Sequence, residues 1–360
     1  MSNFVDYTGK ERLIKSETGR AASDFDEVPL IDIAPFLNGE DKASVVAAVK
    51  HAAENVGFMY LSGHGLSQQV MDKAFEQAKT FFDQSEEAKR ELLYSLSPVF
   101  RGYEPSKGNV QGDLKEAFNF GYEPSADPLN PSNESIEDTA AGSGANVWPS
   151  ETSPAAGLRC AVLAYYGEVL VLGRQIIRLF ALALELAEDV FDEAFAVPGV
   201  LGRILHYPPQ LAMNSADLRV GVNQHTDIEC FTLLLQGPDL TCLEVLNKNG
   251  EWLEAPPVPG TLVCNIGDML SRWTNDRFVS TAHRVVNKTG KQRYSIPVFF
   301  GPNYDTLVVP FEQCLAGEES KYPPIKAGEY VWRRLARSRL GVKYDESVKL
   351  EEAVSGKMAA

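Results

Sequence analysis

The run Gln224-His225-Thr226-Asp227-Ile228-Glu229-Cys230-Phe231-Thr232-Leu233-Leu234-Leu235-Gln236 decides how the chain is read. Its second half, residues 231–236, is a short apolar run and reads as a β-strand. Its first half carries a histidine and an aspartate two positions apart. On a strand, residues two apart point to the same face, so both side chains can reach one ion. Working outward, further short β-like runs occupy residues 203–207, 243–246, 261–266, 283–286 and 294–300. Turn signals separate them: Asn249-Gly250, residues 256–260 and Thr289-Gly290. Many short strands with turns between them predict a β-sandwich or a double-sheet jelly roll.

Upstream the pattern changes. Residues 28–33 alternate apolar and polar and predict a strand. Asp41 opens a helix that runs to about residue 56 with Val45, Val46, Val49 and Ala52 on one face, and Gly57 ends it. A strand at residues 58–61 and a helix over residues 67–82 follow. Residues 86–92 suit one more helical piece, and residues 100–103 and 117–121 suit strands or pocket-lining loops. Residues 125–145 are rich in Ser, Asp, Glu, Asn, Pro and Gly and predict an exposed loop. Residues 154–188 predict one long helix or two. A last helix spans about residues 327–340.

The expected organisation is therefore a flexible segment at 1–27, a helical region at 28–190, a β-domain with its C-terminal helix at 191–345, and a tail at 346–360. The fold class is mainly β with flanking helices, an N-terminal α/β region and a long central helix.

The constellation that carries chemistry is His225, Asp227 and His283. His283 opens a second β-like run 56 residues beyond Asp227. Two imidazoles and one carboxylate hold Fe(II) on one face and leave other positions open. Zinc accepts the same set, but no glutamate stands at H-E-x-x-H spacing to serve as a base. An isolated His-x-Asp would more often be a strand end than a metal site; the second histidine changes that balance. Arg293 and Ser295 are also two apart on an apolar strand. A guanidinium and a hydroxyl pointing together grip a carboxylate. The plainer role for Arg293 is an internal salt bridge.

Composition bounds the partners. The 360-residue chain has a net charge of −15, which disfavours nucleic acid and anionic membranes. The basic residues Arg333, Arg334, Arg337, Arg339 and Lys343 read as a solvated helix face. Five cysteines without a CxxC pair suit a reducing compartment. The polar N-terminus shows no apolar signal region, and charges interrupt the apolar segment 158–188. A cytoplasmic monomer or weak homo-oligomer acting on a small molecule is expected.

Taken together, His225-Thr226-Asp227, His283-Arg284-Val285-Val286-Asn287 and Arg293-Tyr294-Ser295 resemble the isopenicillin N synthase-like group of 2-oxoglutarate- and Fe(II)-dependent dioxygenases. Asn146-Val147-Trp148-Pro149, Tyr207-Pro208-Pro209, Gly250-Glu251-Trp252 and Asn265-Ile266-Gly267-Asp268 reinforce the likeness, which spans roughly residues 28–340. The resemblance implies a distorted double-stranded β-helix. It implies iron on His225, Asp227 and His283, and the distal carboxylate of 2-oxoglutarate on Arg293, Ser295 and Tyr207. It implies O2 as the oxidant, ascorbate as a supporting reductant, and hydroxylation, desaturation or ring closure at an unactivated C–H of a small metabolite, with release of succinate and CO2. Phe299, Arg203 and Asn119 fall at pocket-facing family positions. Leu205 stands where many members carry asparagine, which makes that wall more apolar. Two other readings share the scaffold: an iron enzyme whose Arg293 and Ser295 hold the main substrate instead of 2-oxoglutarate, and a non-catalytic metabolite-binding protein.

Overall fold

The computed structural model describes residues 2–5, 8, 10–14, 27–106, 113–130, 146–210 and 220–340. The first half runs β1 (Ser2–Val5), β2 (Glu11–Ile14), β3 (Leu30–Asp32), α1 (Ala34–Leu37), α2 (Lys42–Asn55), β4 (Phe58–Ser62), α3 (Gln68–Phe82), α4 (Glu86–Arg90), β5 (Gly102–Glu104), β6 (Glu116–Gly121) and α5 (Leu158–Ala183). The second half runs β7 (Gly199–Tyr207), β8 (Val222–His225), β9 (Phe231–Gln236), β10 (Leu243–Leu246), β11 (Trp252–Glu254), β12 (Leu262–Ile266), α6 (Asp268–Trp273), β13 (His283–Val285), β14 (Arg293–Gly301), β15 (Leu307–Val308), β16 (Ile325–Lys326) and α7 (Ala327–Leu340).

An eight-stranded sheet, ordered β3-β4-β12-β9-β14-β7-β6-β5, and a four-stranded sheet, ordered β11-β10-β13-β8, form the jelly roll. The large sheet crosses the boundary expected near residue 190, because β3, β4, β5 and β6 join it from the N-terminal side.

Strand alternation decides what each face does. Along β14, Ile296, Val298 and Phe300 enter a large core shared with α2, α3 and α5. The intervening residues Arg293, Ser295, Pro297 and Phe299 line a cavity on the other face. Along β9, Phe231, Leu233 and Leu235 join the helical core, whereas Thr232 and Leu234 line the cavity. A smaller cluster built on Phe58, Tyr60, Leu205, Tyr207, Leu243, Val245, Val263 and Val285 draws on both sheets. Period-two patterning thus separates a greasy face from a functional one along the same strands.

The helices form for local reasons. The Asp41 carboxylate caps α2 by accepting from the Ser44 amide at 3.0 Å. Gly57 ends it at φ +73°, where a Cβ would also lie 2.2 Å from the Val279 carbonyl oxygen. α5 is one helix of 26 residues, long and apolar enough by length and composition to cross a membrane. Its most apolar window is 61% buried within the structure.

Three expectations need correction. Within the segment expected to be flexible, β1 and β2 pair as an antiparallel hairpin. Lys10 meets Asp276 at 2.6 Å and Arg12 donates to the Ser280 carbonyl at 3.1 Å, so long-range polar contacts tie it down. In the exposed loop expected over residues 125–145, Ser125, Pro128 and Leu129 are exposed, but Asp127 and Asn130 are buried, and Asp127 takes a two-pronged ion pair from Arg174 at 2.6 and 3.0 Å. Residues 131–145, like the tail at 346–360, lie outside the described residues. Arg334, expected on a solvated face, is buried and paired with Asp268 at 2.6 Å.

Candidate active site

β8 and β13 bring the two histidines together. His225 ends β8 and pairs directly with His283, the first residue of β13. Their rings lie 4.2 Å apart between centroids. Asp227 sits just beyond the end of β8 and so is not on the strand face that the spacing suggests. It reaches the histidines because the chain turns there, with the Asp268 amide donating to the Asp227 carbonyl at 2.8 Å.

The donor atoms converge. Asp227 Oδ1 lies 3.6 Å from His225 Nε2 and 3.7 Å from His283 Nε2. One ligand atom from each residue falls within 4.8 Å of the other two, a spacing that suits a single metal ion. The other atoms of these side chains are occupied. His225 Nδ1 is 2.8 Å from the Asn223 carbonyl, and His283 Nδ1 is 3.3 Å from that of Thr281. Each contact leaves Nε2 with its lone pair toward the centre. Asp227 Oδ2 accepts from Thr232 Oγ1 at 2.6 Å and Asn265 Nδ2 at 2.7 Å, so only Oδ1 remains for a metal.

Electrostatics keep the set in its ligating form. Burial alone would raise the Asp227 carboxyl, but the His283 and His225 imidazoles, then Asn265 and Thr232, hold it below its ordinary value. Burial, followed by the neighbouring His225, pushes His283 well below the ordinary imidazole range, so it is neutral at pH 7.

The second half of the site lies on β14 and β7. Arg293 faces Tyr207 across the strand pair, its guanidinium carbon 4.8 Å from the ring centre. Arg293 donates to Gln236 Oε1 at 3.0 Å and Ser295 Oγ at 3.4 Å. It is 2% exposed, its Nε has no hydrogen-bond partner, and no carboxylate pairs with it among the described residues. The internal salt bridge considered for this arginine is therefore absent there. Tyr207 is buried beside it, and burial raises its phenol above the ordinary value. One cavity is lined by Arg293, Ser295, Tyr207, Leu205, His225, Asp227 and His283. The Arg293–Ser295 pair and the three convergent donors therefore share a wall.

A second cavity of about 180 Å³ also borders His225 and Asp227. Phe299, Arg203 and Asn119 all line it. Arg203 is held by Glu104 at 2.8 Å and Asn119 at 2.9 Å, so it is braced rather than solvated. Glu229 lines the same space; burial, and then the Asp227 charge, push its carboxyl up to about 8.

Several functional residues escaped the sequence reading. Asp268 is a hub that accepts from Thr226 at 2.9 Å, Ser280 at 2.7 Å and Arg334 at 2.6 Å. Its motif, Asn265-Ile266-Gly267-Asp268, was visible, but not its partners. Glu229 had one available signal, an acid between Ile228 and Cys230 in an otherwise apolar stretch. His206, whose neighbour Tyr207 faces the site, lies 2.7 Å from Glu116 and stacks on Tyr294.

Comparison with known proteins agrees with this geometry. Residues 28–151 match the family model described as the N-terminal region of the non-haem dioxygenase in morphine synthesis. Residues 201–302 match that of the 2OG-Fe(II) oxygenase superfamily. The chain is 36% identical over 329 residues to the 2-oxoglutarate-Fe(II) type oxidoreductase ppzC of Metarhizium rileyi, covering 86% of this chain and 87% of that protein. It is 33% identical over 330 residues to a homoarginine-6-hydroxylase of Oryza sativa subsp. japonica, covering 87% and 98%. Among solved structures, a full-length Neurospora crassa protein in complex with alpha-KG and thymine superposes with a TM-score of 0.76 at 27% identity, covering 88% of this chain and 99% of that one.

Proposed function

Because the chain belongs to the 2OG-Fe(II) oxygenase superfamily, we propose that His225, Asp227 and His283 hold its iron and that Arg293, Ser295 and Tyr207 bind the distal carboxylate of 2-oxoglutarate. The protein is an oxidoreductase that uses Fe(II), 2-oxoglutarate and O2 on a small organic molecule. When bound, the iron and keto acid supply the oxidising chemistry: 2-oxoglutarate loses CO2 to give succinate as a substrate C–H is oxidised.

The residues of the chain do the rest. Asp227 offers one oxygen and neutralises part of the metal charge, while Thr232 and Asn265 fix its orientation. The two backbone carbonyls below the histidines set the tautomer that ligation requires. Arg293 supplies a buried positive charge for a dicarboxylate, with Gln236 holding its plane. Phe299, Arg203 and Asn119 contact the substrate in the second cavity and keep water from the reacting C–H. The same reading extends to a cytoplasmic protein that engages neither nucleic acid nor membrane, supported by the net charge of −15.

The observation that carries the proposal is the buried Arg293 guanidinium with no acidic partner among the described residues, in a cavity shared with the three convergent donors. Burying an arginine without its counter-ion costs several kcal/mol, roughly, unless a ligand supplies the charge. The test is anaerobic titration with Fe(II) and 2-oxoglutarate. The expected result is the weak visible charge-transfer band of a chelated keto acid, followed on admitting O2 by substrate-stimulated succinate release. Absence of the band in protein that has bound iron would overturn the assignment of Arg293 and Ser295.

A further inference from the structure

The second cavity holds one acidic side chain that the described residues leave without a partner. Glu229 is 2% exposed, and neither of its carboxylate oxygens has a hydrogen-bond partner among the described residues. Its neighbours on the cavity wall are treated differently. Arg203 faces Glu104 and Asn119, Arg334 faces Asp268, and Arg101 is packed over the backbone of Gly121. Asp227, two residues earlier, has partners for Oδ2 from Thr232 and Asn265. Space has also been cleared for the acid. A Cβ on Gly301 would stand 2.1 Å from Glu229 Oε2, so glycine at that position is what admits the carboxylate.

Buried carboxylates are almost always given donors, because losing water without replacing it is costly. A chain that pairs Arg203, Arg334 and Asp227 and leaves both oxygens of this acid without a partner has kept it for something outside itself. The rings of Phe100, Phe120 and Phe299 line the same cavity and offer faces that attract cations. A carboxylate with two unpartnered oxygens matches the paired N–H groups of a planar cation.

We propose that Glu229 is a specificity-determining residue of this oxygenase and that it takes a cationic nitrogen head (ammonium, amidinium or guanidinium) of a small substrate. This rests on reading the adjoining donor set as the oxygenase centre. An ordered water could also satisfy Glu229, and the experiment separates the two.

The full-length protein, loaded anaerobically with Fe(II) and 2-oxoglutarate, is titrated by calorimetry with n-butylguanidinium, n-butylammonium and butyrate. The expected result is that both cations bind, the guanidinium more tightly, and butyrate does not. Glu229→Gln should weaken both cations at least tenfold. Its thermal midpoint should stay level or rise, since an acid without hydrogen-bond partners has been replaced; a purely structural acid would show a fall. Equal binding of butyrate, or cation binding unchanged in Glu229→Gln, overturns the proposal. If Glu229→Gln fails to fold, Glu229→Asp keeps the charge and withdraws it, and binding as tight as wild type again overturns the proposal. The charge-transfer band is read in the same samples. Cation binding that needs Glu229 without the band would sink the oxygenase assignment alone, whereas the band without cation binding would sink this inference alone.

Discussion

The two cavities that meet at His225 and Asp227 are built in opposite ways. The one beneath Arg293 is walled by long paired strands, and β14 alone is bonded to both β7 and β9. Its polar groups are held by protein atoms: Asp227 by Thr232 and Asn265, Arg293 by Gln236 and Ser295. The other is walled by the short stretch Val99–Arg101, by strand residues of β6 and β7, and by Val331, Arg334 and Leu335 of α7. One side is a fixed socket set by sheet register. The other depends on where a single helix lies and on one unmatched acid. A rigid socket suits a cosubstrate common to many oxygenases, and a wall assembled from separable pieces suits a substrate peculiar to one.

The largest expected effect lies at the shared wall. Asp227→Ala should abolish both iron binding and turnover, measured by anaerobic Fe(II) titration and succinate release. Asp227 is the one carboxylate in the convergent donor set found among the described residues, and Asp268 is committed to three donors. Wild-type-like activity in that variant would erase the distinction between the cavities along with the metal assignment.

Arg293→Ala tests the socket itself. A charge-assisted hydrogen bond to a carboxylate contributes about 1.5–3 kcal/mol. The apparent 2-oxoglutarate requirement should therefore rise roughly 10- to 100-fold. The KM for the primary substrate should barely move. If the two respond the other way round, Arg293 holds the substrate and the cavities have been assigned in reverse.

Asn265→Ala comes next. It leaves the three ligands in place but frees one side of Asp227 Oδ2. Groups that orient a metal ligand are worth about 10- to 100-fold in affinity. Thr232 still holds Oδ2, so the low end, roughly tenfold weaker iron binding, is expected. Unchanged iron affinity would mean that the socket is less rigid than its hydrogen bonds suggest.

The same contrast explains what could be read from the sequence. β9 and β10 have the bounds that their apolar runs predict, and Arg293 and Ser295 share a face because alternation along β14 requires it. Period-two patterning reports which face a residue takes, and the socket is made almost wholly of such faces. It does not report partners. The Arg334–Asp268 pair spans 66 residues and leaves no local trace, so Arg334 resembles any other arginine on a polar helix. Asp227 stands two places from His225 but off the strand, because a turn and not a pleat brings it round. Glu229 carries no visible mark of being unmatched, since that is a property of everything packed around it.

The smallest effect is the most discriminating, and it concerns α7. Trp332 stacks on Phe100 with centroids 5.9 Å apart, pinning the helix against a residue that lines the substrate cavity. Two turns of chemistry meet on this helix, because Arg334 reaches Asp268 and, through it, Thr226 between the two metal donors. Cutting Arg334 would disturb both cavities at once and separate nothing. Trp332→Ala removes the stacking contact, worth about 1 kcal/mol beyond its buried area, together with the apolar surface of a buried side chain, and touches neither Arg334 nor Asp268. The KM for the primary substrate should rise roughly fivefold, while iron affinity and the 2-oxoglutarate requirement stay at wild-type values. Steady-state succinate release with each component varied in turn reads all three. A matching rise in the 2-oxoglutarate requirement would show that α7 shapes the socket as well, and that the two sides are one continuous site whose rigidity the strands do not set alone.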